Sequence, residues 1–479
     1  MLKIKKNNVL IGFVAIAFFS LYIALYTSIS DGNFEGDIKY SLSLVGIIIY
    51  ILCIYSWYRK TNKIIDLYTV FITLFFLFNF GECFLWAFNI HTESEIGYGK
   101  TFGVYIGEKS IILAQLFTLI CLVLFHCGAM LSISNSNFIN KKKKENTDTE
   151  EKFKKNMRLF CSLLLLVVVP ITYYVQYKKM IISTKYGYLY LFNGEFSFGY
   201  ISMISRLFFP CIYGLLFATD FKKNVVRICY ILIGINFIML LIIGARGSIV
   251  YELLILFFLH NRYVKKITFR NIIIYMIGFF IIMSIFSAVR TVRDYGVDFD
   301  KILNSISTNN NNIICESVFE MGSSMGIQCI LIQNGFNIYP YGNTYLLGLL
   351  GIISEKVILM FNSEYIDLNT WFSYNYLKLD YGAGFTMAGE VILNFGPYIG
   401  PIVMLFWGYI ITKITEISDN ELCKKSIFSL ITFDSFVMFI RGTFGYYIKY
   451  WFFVIIVFYG IFFIFNLLMN SKRKVKING

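Results

Sequence analysis

Apolar residues in this chain gather into runs of roughly 17–25, the length a helix needs to cross the hydrocarbon of a bilayer. Such runs lie near 9–29, 40–57, 67–90, 111–134, 159–176, 201–220, 228–245, 247–261, 271–289, 391–413, 426–446 and 450–470. The pattern predicts an all-α polytopic membrane protein with about twelve transmembrane helices. Helices seven and eight meet around Gly244 and Ser248 with almost no connecting loop. The stretch 290–383 is the only long one outside the predicted membrane. The chain therefore divides into helices 1–9 over 1–289, one large outward loop over 290–383, and helices 10–12 with a tail over 384–479. The first run follows Lys3, Lys5 and Lys6, and Ser28, Ile29 and Ser30 loosely resemble a signal-peptidase site. That run is long enough to span and many more follow it, so an uncleaved first helix is the better reading.

The polar segments between the runs orient the chain. Short cytoplasmic loops carry an excess of Lys and Arg. With the N-terminus inside, most of the 43 Lys and Arg fall on inward segments, among them 58–66, 135–158, 221–227, 262–270 and 471–479. Both termini are then cytoplasmic and 290–383 faces outward. A composition 57% hydrophobic and only 15% charged, with a mean hydropathy of +0.65, excludes a soluble globule. The formal net charge of +14 comes from cations spread among these loops, so topology accounts for it and nucleic acid is not a predicted partner. The run around Lys141–Arg158 mixes Lys, Glu, Asp and Asn and reads as a solvated linker that favours anionic lipid.

Several chemistries drop out. The ten cysteines include no C-x-x-C pair and only three histidines are present, so no metal cluster is predicted. Cys315 and Cys329 share the outer loop, as a disulfide or, preferably, as free small hydrophobes. There is no phosphate-cradling glycine loop for ATP. The five prolines do not form the paired helix breaks of many transporters.

Against the cation bias, Arg246, Arg290, Arg293 and Arg441 sit at outward ends of predicted helices. Cations kept near hydrocarbon mark functional sites, and planar guanidinium groups suit a bulky anion such as a lipid diphosphate. The alternative is that they pair with Glu82, Glu252 or Asp434 and fix helix packing. In the outer loop, Glu316–Gly326 reads as a short helix carrying Glu320, with a small-residue end. Tyr339, Tyr341, Trp371, Tyr374 and Tyr376 suit either a lid over a saccharide or an interfacial aromatic belt. At re-entry, Glu390 and Asn394 lie four residues apart, on one helical face among closely spaced glycines. A packing role and a catalytic role weigh equally for Glu390.

Four motifs in order resemble the Wzy-type O-antigen polymerases, or oligosaccharide repeat-unit polymerases. They are the turn Gly244, Ala245, Arg246, Gly247 and Ser248; the loop element Phe319, Glu320, Gly322, Ser323 and Ser324; the stretch from Glu390 through Asn394 and Phe395 to Gly396; and Arg441, Gly442, Thr443 and Phe444. The resemblance covers roughly residues 230–460. It implies a GT-C-like, metal-independent glycosyltransferase without cofactors, acting on undecaprenyl-diphosphate-linked oligosaccharides at the outer face of the bacterial inner membrane. Membrane lipid, a chain-length regulator and a flippase are the implied partners. An O-antigen ligase is generally associated with a loop histidine, and none lies between 261 and 479. A flippase or exporter would show two related halves and short loops throughout.

On this reading Arg246, Arg290, Arg293 and Arg441 hold the diphosphate. Glu320, then Glu390, is the base for the acceptor hydroxyl, with Asn394 and Tyr295 in support. A semi-buried carboxylate gains basicity by desolvation, which suits that task.

Overall fold

In the computed structural model the described residues are 6–32, 38–136, 147–186, 191, 199–266, 313–417 and 422–477. The long apolar runs become long helices: α1 (Lys6–Ser30), α2 (Ile38–Thr61) and α3 (Leu67–Trp86). The hairpin β1 (Lys100–Thr101) and β2 (Val104–Tyr105) follows, antiparallel, and then α4 (Glu108–Ser136). Next come α5 (Thr147–Tyr186), α6 (Gly199–Ser205), α7 (Phe208–Ala218), α8 (Lys223–Ile243) and α9 (Arg246–Leu259). Four shorter helices lead back to the bundle: α10 (Ile313–Gly322), α11 (Met325–Asn334), α12 (Thr344–Leu350) and α13 (Glu355–Phe361). The chain closes with α14 (Met387–Thr415), α15 (Cys423–Val437) and α16 (Phe444–Ile477).

Among the described residues, nine helices are long and apolar enough to cross a membrane. A tenth span is formed if α12 and α13, bent by 117°, act as one broken helix. The chain is thus an all-α polytopic membrane protein. The predicted span 271–289 lies outside the described residues. Those at 247–261 and 426–446 are α9 and α15, of 14 and 15 residues. Each is prolonged by a differently wound turn, His260–Val264 and Met438–Arg441 respectively.

The described helices form two compact units. The first holds α1–α4, α10–α14 and residues 436–449; the second holds α5–α9, residues 423–435 of α15, and α16 from 450 onward. In the first unit α3 and α4 are interior helices. Phe71, Leu74, Phe75, Ile112, Ala114 and Phe117 are buried, whereas α1 and α2 turn Phe13, Ile16, Ile48 and Ile51 outward. An apolar exterior of this kind is the surface a bilayer requires. Asp66 starts α3 with a capping box: it accepts from the Leu67 N–H, and its own N–H donates to Thr69 Oγ1. In the second unit, Ser183 on α5 donates to Ile243 O at 2.8 Å and so satisfies a carbonyl at the end of α8.

Helix α14 is broken. Gly396 has φ 68°, a region glycine enters without steric cost, and Pro397 follows it. Pro401 has no N–H to give the Pro397 carbonyl, its regular i−4 partner. Tyr22 on α1 supplies the missing donor, its hydroxyl lying 2.9 Å from Pro397 O in a buried position. Replacing Tyr22 by Phe leaves that carbonyl buried and unpaired, which costs about 1–3 kcal/mol. The expected result is a lower midpoint of thermal unfolding for the detergent-solubilised Tyr22→Phe protein; an unchanged midpoint would show that the carbonyl has another donor.

Candidate functional site

Two predicted site residues meet at the start of α14. Thr386 caps the helix, its hydroxyl accepting the Gly389 N–H at 2.9 Å, which sets Glu390 in the first turn. Asn394 follows one turn later and donates to Glu390 O at 2.7 Å and to Thr344 Oγ1 at 2.7 Å. Its Oδ1 accepts the Thr344 N–H at 2.8 Å. Glu390 is wholly buried, and both carboxylate oxygens are engaged. Oε1 accepts the Thr344 hydroxyl at 2.5 Å, and Oε2 accepts the Phe444 N–H at 2.6 Å.

Thr344 and Phe444 are the first residues of α12 and α16. The leading N–H groups of a helix have no partner within it, so these two side chains fill donors that hydrocarbon cannot. A carboxylate at the start of α16 also meets the positive end of the helix dipole, worth roughly 0.3–1 kcal/mol. Tyr345 stacks on Phe444 with ring centres 4.8 Å apart and accepts from Trp407 Nε1 at 3.3 Å. Three helix starts are therefore tied at one buried acid.

Arg441 lies just ahead of that knot, at the end of the Met438–Arg441 turn. Its guanidinium is exposed and stands 5.6 Å from the centre of the Phe78 ring on α3. It makes no hydrogen bond or ion pair among the described residues. One turn further along α3, Gly81 and Glu82 receive α10, the helix that carries Glu320. A Cβ added at Gly322 would come within 2.9 Å of Gly81 Cα, so this crossing depends on two glycines. Glu320 is half-exposed, and its carbonyl accepts from Ser323 Oγ at 2.8 Å. Arg441 and the Glu320 helix thus pack on the same stretch of α3, within a single turn.

The other predicted residues fall elsewhere. Arg290, Arg293 and Tyr295 lie outside the described residues. The backbone of Arg246 opens α9 in the second unit, and its side chain is also outside the description. The carboxylates weighed as arginine partners have other contacts. Glu82 Oε2 accepts the Ile96 N–H at 2.9 Å, and Tyr213 donates to Glu252 at 3.1 Å. Asp434, also buried, is the carboxylate neighbouring Glu252.

Within the predicted outer loop, α11 is not a surface element. Met325, Ile327, Gln328, Cys329, Ile330 and Leu331 are buried. Gln328 donates to Asn79 Oδ1 at 2.8 Å and accepts from Thr118 at 2.8 Å, so it links α3, α11 and α4. The loop aromatics pack on one another. Tyr339 meets Trp371 edge-on at 5.2 Å, and Trp371 stacks on Tyr376 at 5.2 Å.

Sequence reasoning missed Thr344, which binds both Glu390 and Asn394, because a threonine ahead of an apolar run carries no distinctive signal. It passed over Glu82 except as an arginine partner. A lone carboxylate inside a long apolar run was the available clue. Glu82 is 1% exposed, and its Oε1 has no partner among the described residues.

A family model described as O-antigen polysaccharide polymerase Wzy matches residues 9–474, nearly the whole chain. No curated protein and no solved structure gives a significant match.

The Glu390–Thr344 contact is a charge-assisted hydrogen bond, a class worth roughly 1.5–3 kcal/mol. A double-mutant cycle of Glu390→Gln and Thr344→Val, read by thermal unfolding in detergent, should return a coupling of about that size. Strict additivity would show that the two side chains do not hold each other.

Proposed function

The chain belongs to the O-antigen polysaccharide polymerase Wzy family, and we propose that it joins oligosaccharide repeat units carried on undecaprenyl diphosphate at the outer face of the bacterial inner membrane. Both termini are then cytoplasmic, 290–383 is the periplasmic loop, and the bundle is GT-C-like. A flippase delivers the lipid-linked units, and a chain-length regulator is the further partner this role calls for.

The observation that carries this reading is Arg441. An exposed guanidinium lies over an aromatic face, held one turn ahead of a helix start that a buried carboxylate fixes. That is an anion site in waiting. The Phe78 face supports the cation while the edge of the guanidinium keeps its donors for phosphate oxygens.

The donor sugar arrives bonded through C1 to its lipid diphosphate. The acceptor hydroxyl oxygen forms a bond to C1, the bond from C1 to the diphosphate oxygen breaks, and the leaving diphosphate carries away the electron pair. Arg441 stabilises that departing charge. The acceptor proton passes to a carboxylate. Glu320 is the proposed base, because it is half-exposed on the helix beside Arg441's seat. Glu390 has both oxygens occupied and is the positioning residue that sets the Arg441 turn, with Asn394 in support. The diphosphate already activates the sugar, so neither ATP nor a metal is required.

Removing one donor from a developing anion costs on the order of 10²–10³ in rate. Arg441→Ala should therefore collapse the ladder of polymer lengths on a gel to single repeat units at normal protein level. Arg441→Lys should recover little, since a point charge cannot replace the fork. Glu320→Gln should abolish polymer while leaving the protein folded. A full-length ladder from Arg441→Ala would remove the anion site, and one from Glu320→Gln would remove the base.

A further inference from the structure

The second unit contains a groove that the polymerase reading does not use. A cavity of about 380 Å³ lies between α8 and α9, lined by Tyr230, Gly234, Phe237, Leu253, Phe257 and His260 among others. That volume is within the roughly 300–1,000 Å³ of small-molecule sites. Its walls are apolar except at one end, where Tyr230 Oη and His260 Nδ1 are hydrogen-bonded at 3.1 Å.

The same helical stripe continues past that polar end. Tyr230, Gly234 and Phe237 recur at the spacing of one helix face, and extending it backward reaches Arg227 and Lys223 at the start of α8. Both are exposed, and so are Lys265 and Lys266 just beyond the end of α9. The sequence of surfaces along the groove is therefore apolar wall, hydrogen-bonding ledge, then a cluster of cations.

We propose that this groove binds one acyl chain of an anionic phospholipid from the leaflet where α8 begins. The chain lies along Gly234, Phe237, Leu253 and Phe257. The ester oxygens meet Tyr230 and His260, and the phosphate meets Arg227 and Lys223. This order of apolar, ester-accepting and cationic contacts matches the order of groups in a glycerophospholipid. The cations select an anionic headgroup over a zwitterionic one. Gly234 makes the room: a Cβ there meets nothing within 4 Å, so a larger side chain enters the groove without disturbing either helix.

The test uses delipidated full-length protein in detergent and native mass spectrometry with added phosphatidylglycerol or phosphatidylcholine. Wild type should retain one phosphatidylglycerol and prefer it by roughly thirtyfold, at about fivefold for each of two cations. Lys223→Ala with Arg227→Ala should erase that preference. Gly234→Phe should weaken retention of either lipid at least about tenfold, the effect of exposing only two methylenes of chain. Gly460→Phe is the control, because a Cβ at Gly460 also meets nothing within 4 Å, and retention there should be unchanged. Melting temperatures of the lipid-free variants should equal that of wild type. The proposal fails if phosphatidylglycerol and phosphatidylcholine bind alike, if Gly234→Phe retains lipid as wild type does, or if Gly460→Phe loses it equally. It also fails if undecaprenyl phosphate displaces the phospholipid, which would assign the groove to the carrier instead.

Discussion

Hydrocarbon offers no hydrogen-bond partner, so wherever this chain departs from a regular helix it must satisfy its own backbone. That constraint explains the placement of several of its buried polar side chains. Tyr22 serves the Pro397 carbonyl at the break in α14, and Ser183 serves the Ile243 carbonyl at the end of α8. Asn394 and Glu390 serve the leading N–H groups of α12 and α16. Each such group left unpaired would cost about 1–3 kcal/mol, comparable to a sizeable share of a protein's net stability. Irregular backbone and polar side chains therefore occur together, and an interruption in a membrane helix is also where chemistry can be built.

The knot at Glu390 shows how one leads to the other. Its buried carboxylate holds the first turn of α16, and the exposed Arg441 ends the separate turn just before that helix. The two opposite charges serve different ends. The acid meets its bonds inside the protein, whereas the cation rests on the Phe78 ring and faces outward. Had Arg441 paired with Glu390, the anion site proposed for it would have been neutralised by its own support.

The spans were largely legible in the sequence because apolar run length follows directly from bilayer thickness, and α1–α5, α8, α14 and α16 all coincide with runs that hydropathy marks. The Glu390–Asn394 face was equally plain, since a four-residue spacing has one meaning on a helix. What hydropathy could not show is burial inside the loop. Helix α11 is only ten residues long and carries Gln328, so it reads as a surface segment. Its burial depends on Asn79 and Thr118, partners more than two hundred residues away in sequence. The Gly81–Gly322 crossing is hidden for the same reason. Either glycine alone is unremarkable, and only the fold makes them a pair. Thr344 was missed because its importance comes from what approaches it.

The choice of base follows from the same accounting of donors. A carboxylate that receives a proton must give up part of its acceptor capacity. At Glu390, Oε1 takes the Thr344 hydroxyl and Oε2 takes the Phe444 N–H. A proton arriving at either oxygen removes the charge and weakens the acceptors that hold Thr344 and Phe444. Protonating Glu390 would loosen the start of α16 and with it the turn that presents Arg441. In the proposed mechanism, cycling a proton there on every turnover would undo the anion site as the diphosphate departs. In the proposed mechanism Glu320, half-exposed on α10, is the residue that gains and loses the proton. The proposed mechanism thus separates the residue that moves protons from the residue that holds the helices, with both in the first unit.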